Sequence, residues 1–191
     1  MVEPVKRVKA YIIDLIIVLL VLSAIALIYH PDITAYQAKL NSLSLDYRSG
    51  KISFSSYIIK QSNIYKDIDK LSIIQNVINI ILITLYFIIV PYLTKGFTIG
   101  KKINKIKIKS LDGNLTIKKL LIRNLVINGL LYFIFIVICT FVIPGNYYFS
   151  VITIITIIQI LLISISTILM FKRKDKRTLH DILSRTYEKN S

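Results

Sequence analysis

A chain of 191 residues with 54% hydrophobic side chains and a mean hydropathy of +0.65 is more apolar than a soluble domain of its size. Its single cysteine, Cys139, excludes an internal disulfide, and its two histidines, His30 and His180, supply no metal-ligand spacing. The formal charge of +15 is distributed between apolar blocks, a pattern that sets membrane topology rather than nucleic-acid binding.

Four apolar runs, 10–29, 73–93, 124–143 and 149–171, each have about the 20 residues needed to cross a hydrocarbon core of roughly 30 Å. The first is preceded by Lys6, Arg7 and Lys9. It contains Asp14, a carboxylate that costs roughly 2.5–3.5 kcal/mol at the centre of a membrane helix unless partnered. Arg7 lies two helical turns earlier on the same face, with Ala10 between them, small enough to let another helix approach. Ala24-Ile25-Ala26 resembles a signal-peptide cleavage site. The apolar stretch nevertheless continues through Leu27, Ile28 and Tyr29 and carries Asp14 early, which favours a retained span.

The 30–70 segment is too long for a plain connection. Tyr36, Leu40 and Leu43 fall at helical spacing within 35–45, as do Tyr57, Ile58, Ile64, Ile68 and Leu71 within 53–71, with a turn at Arg48-Ser49-Gly50-Lys51. Two amphipathic helices are expected, on the outer face. The 94–123 segment differs. Ile106 and Ile108 alternate with Lys105, Lys107 and Lys109, Asp112-Gly113 follows, then Leu115 and Ile117, which predicts a small β-hairpin. Thr116 is a candidate cap for the next helix, whose first turns hold Lys118, Lys119 and Arg123; these cations suit lipid contact or pairing with an acid such as Asp14. Tyr29, Tyr92, Tyr147 and Tyr148 flank the runs where an aromatic belt would sit. In the 172–191 tail, Thr178 is a candidate N-cap, Asp181 stands at the third helical position, and Leu179, Ile182 and Leu183 share a face that would dock on the bundle.

Basic residues number three before the first run, nine in 94–123 and seven in the tail, against six in 30–70 and none in 144–149. Nineteen therefore lie on one side and six on the other, which puts both termini in the cytoplasm of a multi-pass cell-membrane protein. That basic face would attract anionic headgroups at about 1 kcal/mol per residue near the surface. Asn76, Asn79, Thr84, Asn124, Asn128 and Gln159 could line a polar path or make interhelical hydrogen bonds. Gly96–Lys101 lacks the spacing of a phosphate loop, and no nucleophile set points to an enzyme. The expected fold is an all-α membrane protein: a four-transmembrane-helix bundle with a helical outer loop and a small cytoplasmic β-hairpin, without cofactor.

Arg7-x-x-Ala10-x-x-x-Asp14, Thr98-x-Gly100-Lys101-Lys102, Ile122-Arg123-Asn124 and Arg177-Thr178-Leu179-His180-Asp181 occur in this order. Together they resemble the RDD family of bacterial membrane proteins over nearly the whole chain, outer loop excepted. The resemblance implies a single transmembrane domain over 1–191, with Arg7 and Asp14 as the first two signature residues and Asp181 as the third. Ser184-Arg185-Thr186 departs from the Ala-Gly-Thr of many relatives. The resemblance further implies transport, including cation/proton exchange, through a polar cluster of Arg7, Asp14, Arg123 and Asp181, with Asn124 and His180 as secondary candidates. Such a path in a four-span chain would need small cations as substrate and a homo-oligomer. The alternative is a membrane interaction or lipid-binding protein in which the cluster is structural.

Overall fold

The computed structural model describes residues 2–29 and 31–191; His30 lies outside them. The elements in chain order are α1 (Pro4–Ile28), α2 (Thr34–Arg48), α3 (Phe54–Leu71), α4 (Ile73–Thr84), a π-helical turn (Leu85–Ile89), α5 (Val90–Leu93), α6 (Ile99–Ile103) and β1 (Ile106–Ser110). Then come α7 (Ile117–Ile127), α8 (Leu130–Val142), α9 (Gly145–Lys172), α10 (Leu179–Leu183) and β2 (Thr186–Asn190).

Three helical segments are long and apolar enough to cross a membrane: Pro4–Ile28, Ile73–Leu93 and Gly145–Lys172. At 1.5 Å per residue even the shortest reaches about 30 Å. Large apolar side chains such as Leu19, Leu20, Ile28, Ile157 and Ile160 stand exposed along them. Water would not tolerate so continuous an apolar surface on a single chain. The third run is not one helix. Gly129 adopts a φ of +67°, a left-handed conformation that glycine takes without steric cost, and α7 and α8 bend by 77° at that point. α8 alone, with 13 residues, is about 20 Å long, so a fourth span exists only if the bent pair is counted as one.

The second span carries its own irregularity. Pro91 has no N–H to offer the carbonyl of Phe87, four residues earlier. The helix widens into the π turn just there, and Asn124 Nδ2 of α7 donates to the Phe87 oxygen at 2.8 Å. An in-helix hydrogen bond is thus replaced by one that fastens α7 to the span. Asn124 also bonds the Leu120 carbonyl, and Gln159 bonds that of Val126, so these polar residues act as interhelical contacts.

The α2–α3 pair has the expected helical character. Ser53 caps α3, and α3 packs along the first turns of α9. Ser62 Oγ donates to the Gly145 carbonyl and accepts from Phe149 N–H, Lys66 Nζ bonds the Ile143 carbonyl, and Tyr148 OH donates to Asp69. The opposite end of α9, about 40 Å away, meets α10.

A two-stranded antiparallel sheet is present, but its partner strand is not the one the alternation suggested. β1 pairs with β2 from the tail, Ile106 opposite Asn190 and Ser110 opposite Thr186. The Asp112-Gly113 turn forms only a single bridge between Ser110 and Gly113; the chain then reaches Thr116, which caps α7. The inner face of the sheet presents Ile106, Ile108, Thr186 and Glu188, all buried. Ile108 joins the bundle core of Val18, Ile83, Phe87, Ile88, Leu120 and Leu130.

Candidate functional site

Four separate segments deliver charged side chains to one buried place beneath the sheet. α1 brings Arg7, α7 brings Arg123, α6 brings Lys101, and the tail brings Asp181 from α10 and Glu188 from β2. Exposures of 6%, 4%, 8%, 0% and 5% respectively leave no room for solvent to satisfy them, so each must be satisfied by its neighbours. Arg7 Nη2 lies 2.5 Å from Asp181 Oδ2, and Arg123 Nη1 contacts Asp181 Oδ1. Arg123 Nη2 and Lys101 Nζ meet Glu188 Oε1 at 2.6 and 2.9 Å. Arg7 Nη1 donates to the Lys176 carbonyl, and Arg123 Nη1 to Thr186 Oγ1 at 3.1 Å. Arg7 Nε sits 2.8 Å from Glu188 Oε2, close enough for ion pairing but off the N–H line, so neither atom completes a hydrogen bond.

Local sequence explains how the two acids arrive. Thr178 and Asp181 form a capping box: Thr178 Oγ1 accepts from Asp181 N–H, and the Asp181 carboxylate accepts from Thr178 N–H. The carboxylate is thereby fixed at the start of α10 before it meets either arginine. Glu188 is placed by strand alternation, two residues beyond the buried Thr186 on the inner face of β2. Burial pushes the Glu188 carboxyl up, but Lys101, Arg7 and Arg123 outweigh it and hold its pKa well below the ordinary 4.5. Burial, reinforced by Arg123 and Arg7, drives the His180 imidazole well below 6.5, so it is neutral; its Nδ1 lies 2.9 Å from Ser166 Oγ of α9.

Asp14 does not join these cations. Its carboxylate, 1% exposed, takes Tyr86 OH at 2.6 Å and Gly100 N–H at 2.7 Å on Oδ1, and Thr98 Oγ1 at 2.5 Å on Oδ2. Seven residues of helix put Asp14 about 10.5 Å from Arg7 along the axis, and Arg123 is engaged by the tail. The expected Asp14–Arg123 pairing is therefore replaced by neutral donors. Ala10, expected to let another helix approach, lies fully buried where α6 meets α1. A Cβ on Gly100 would run into the Ala10 carbonyl and the Asp14 carboxylate, so Ala10 and Gly100 together let α6 close on α1.

The structure thus brings together Arg7, Arg123 and Asp181, sets His180 and Asn124 on the flank of the same cluster, and separates Asp14. Sequence reasoning missed Glu188 and Tyr86. Glu188 is one of only two glutamates in the chain, and the alternation of Thr186 and Glu188 was the available signal. Tyr86 lies inside an apolar run and gave none. A cavity of about 270 Å³ adjoins the cluster. Its lining includes the charged or ionisable Arg7, Lys101, Arg123, His180 and Glu188 and the apolar Val8, Phe87, Ile127, Ile163 and Met170. Among the described residues, no group of His, Cys, Asp and Glu is arranged to hold a metal.

No curated protein and no solved structure matches the chain. The profile of the RDD family matches residues 1–185, a range that takes in Arg7, Asp14, Arg123 and Asp181. With its apolar spans and its buried Arg/Asp/Glu cluster, this chain belongs to the RDD family of bacterial integral membrane proteins.

Proposed function

We propose that this chain is a non-transporting membrane module, acting through interaction or lipid binding, in which the Arg/Asp/Glu cluster is a structural clasp. The observation that carries this reading is where the carboxylate oxygens point. Asp181 and Glu188 are spent on Arg7, Arg123 and Lys101, and both Asp14 oxygens accept from donors. The cavity wall carries three cations and one carboxylate, a poor path for a cation. The clasp ties the tail to the first span, the α6 turn and α7. With both termini cytoplasmic, as the basic residues argue, it lies at the inner leaflet and needs no oligomer to be complete.

The rival reading is cation/proton exchange at Asp14. It is favoured by one feature: two of the three donors to Asp14 are the hydroxyls of Tyr86 and Thr98, which can rotate to accept from a protonated acid. Purified protein in proteoliposomes, with a pH-sensitive dye inside and Na⁺ or K⁺ gradients imposed, separates the two. The clasp reading expects no cation-driven proton flux above empty liposomes, and a loss of thermal stability in Asp14→Asn. Robust flux abolished by Asp14→Asn overturns it.

A further inference from the structure

We propose that the cavity beside the clasp is a binding site for one anionic glycerophospholipid, its phosphate on Lys101 and its acyl chains in the gap between α1 and α9. The inference deepens the lipid-binding reading above and rests on it.

Three features of the cavity point to this occupant. The first is its chemistry at the closed end. Among the described residues, Glu188 Oε1 is the hydrogen-bond partner of Lys101 Nζ, and an ammonium has three donors, so two remain for a ligand. Lys101 is itself more than nine-tenths buried. The five charges of the clasp leave one cation in excess, and Asp181, which both arginines share, is absent from the cavity wall. Asp14 is likewise absent from the wall, with its oxygens taken by Tyr86, Thr98 and Gly100. Three cations and one carboxylate thus line the cavity, an excess of positive charge that an anion entering it would offset.

The second feature is the opening. Val8 of α1 and Ile163 of α9 line the cavity and are 36% and 39% exposed, so part of its exposed rim lies on two membrane helices, where lipid is the neighbour. A free ion has no reason to arrive by that route, whereas a lipid already lies there. The third is the mixed character of the lining. Phe87, Ile127 and Met170 share with the cations the lining of a space of about 270 Å³, close to the lower bound of small-molecule sites, roughly 300 Å³. That volume holds a phosphate and the start of its glycerol, with the chains leaving through the gap. The site differs from the diffuse attraction of surface lysines in having a buried, stereochemically defined anchor.

Delipidated protein in a neutral detergent, titrated with phosphatidylglycerol, phosphatidylcholine or inorganic phosphate, tests the proposal by native mass spectrometry and thermal shift. The expected result is one phosphatidylglycerol retained per chain, with a raised melting midpoint and no comparable retention of phosphatidylcholine. Lys101→Gln should weaken that retention about tenfold, the worth of a charge-assisted hydrogen bond, and Lys101→Arg should restore most of it. Ile163→Trp fills the opening without touching the ion pairs, so it should abolish retention while the unliganded midpoint stays put; it keeps the test valid if Lys101→Gln does not fold. Equal retention of phosphatidylcholine, stabilisation by inorganic phosphate alone, or undiminished retention in Ile163→Trp each overturns the proposal. Cation flux in the proteoliposome assay alongside intact phosphatidylglycerol preference would sink the non-transporting reading and leave the lipid site standing.

Discussion

Asp181 accepts from two arginines of different helices and from its own N-cap, with no exposed surface. Removing one partner of a buried pair leaves the other charged and unsatisfied, at a cost of about 3–5 kcal/mol. Asp181→Asn should therefore sharply lower the melting midpoint in a size-exclusion thermostability assay. Asp175→Asn, which removes the exposed ion pair with Arg173 and keeps an oxygen for the Arg177 N–H, should leave it within the scatter. The same cluster predicts an acid limb. His180 is held neutral when folded, by burial and by Arg123 and Arg7, with Lys101 adding to them and Glu188 opposing. The unfolded chain takes up a proton near pH 6.5 that the folded one refuses. Stability is full above that pH and falls below it, by up to about 1.4 kcal/mol per unit for one proton. Glu188, whose pKa is lowered on folding, adds a further loss only below about pH 4.5. Midpoints measured from pH 8 to 5 should decline below 6.5, and His180→Asn should flatten that decline; a flat wild-type profile would show that His180 takes up its proton equally in the folded and unfolded chain. Asp14 and Arg7 were legible because a charge in or beside an apolar run must be explained, and Asp181 because the family resemblance and the Thr178 cap singled it out. Tyr86 was not, because a tyrosine in such a run is ordinary until its partner is known.

At the scale of elements, the spans and caps were readable because their signals are local. Twenty apolar residues in sequence, a threonine before Lys119 or Asp181, and helical spacing in 53–71 each act within a few residues, and Thr116, Thr178 and α3 take the expected conformations. Strand pairing is not local. Alternation in 104–110 correctly marked β1, and the Asp112-Gly113 turn invited the adjacent segment as its partner. The pairing that wins instead joins residues about 80 apart, because β2 also carries Glu188 into the cluster and a hairpin to Leu115 would not. The break at Gly129 was missed for a related reason: an apolar run shows length but not direction. If β2 matters chiefly through Glu188, Glu188→Gln and truncation after Ser184 should destabilise alike. If the strand also closes the core over Ile106 and Ile108, both nearly inaccessible, truncation should cost clearly more. We expect the second, since uncovering two isoleucines forfeits roughly 1.5–3 kcal/mol each. Melting midpoints of the two variants side by side decide it.

The whole molecule is a bundle latched at both ends. At one end α3 grips the start of α9 through Ser62, Lys66 and Asp69; at the other the tail clasps α1, α6 and α7. α9 separates these latches by its full length, so they face opposite sides of the membrane. Which side is which is part of the proposal. Nineteen basic residues lie with the tail, the 94–123 segment and the N-terminus, and six with α2 and α3, an asymmetry from which we propose a cytoplasmic clasp. Orientation is directly measurable, since Cys139 is the sole native cysteine and is buried. In a Cys139→Ala background, Ser49→Cys in the turn after α2 should react with an impermeant maleimide added to intact cells. Ser191→Cys, beside β2, should react only after the membrane is opened. Labelling of Ser191→Cys in intact cells would invert the molecule and put the clasp on the outer face, beyond reach of the anionic inner leaflet on which the lipid site depends.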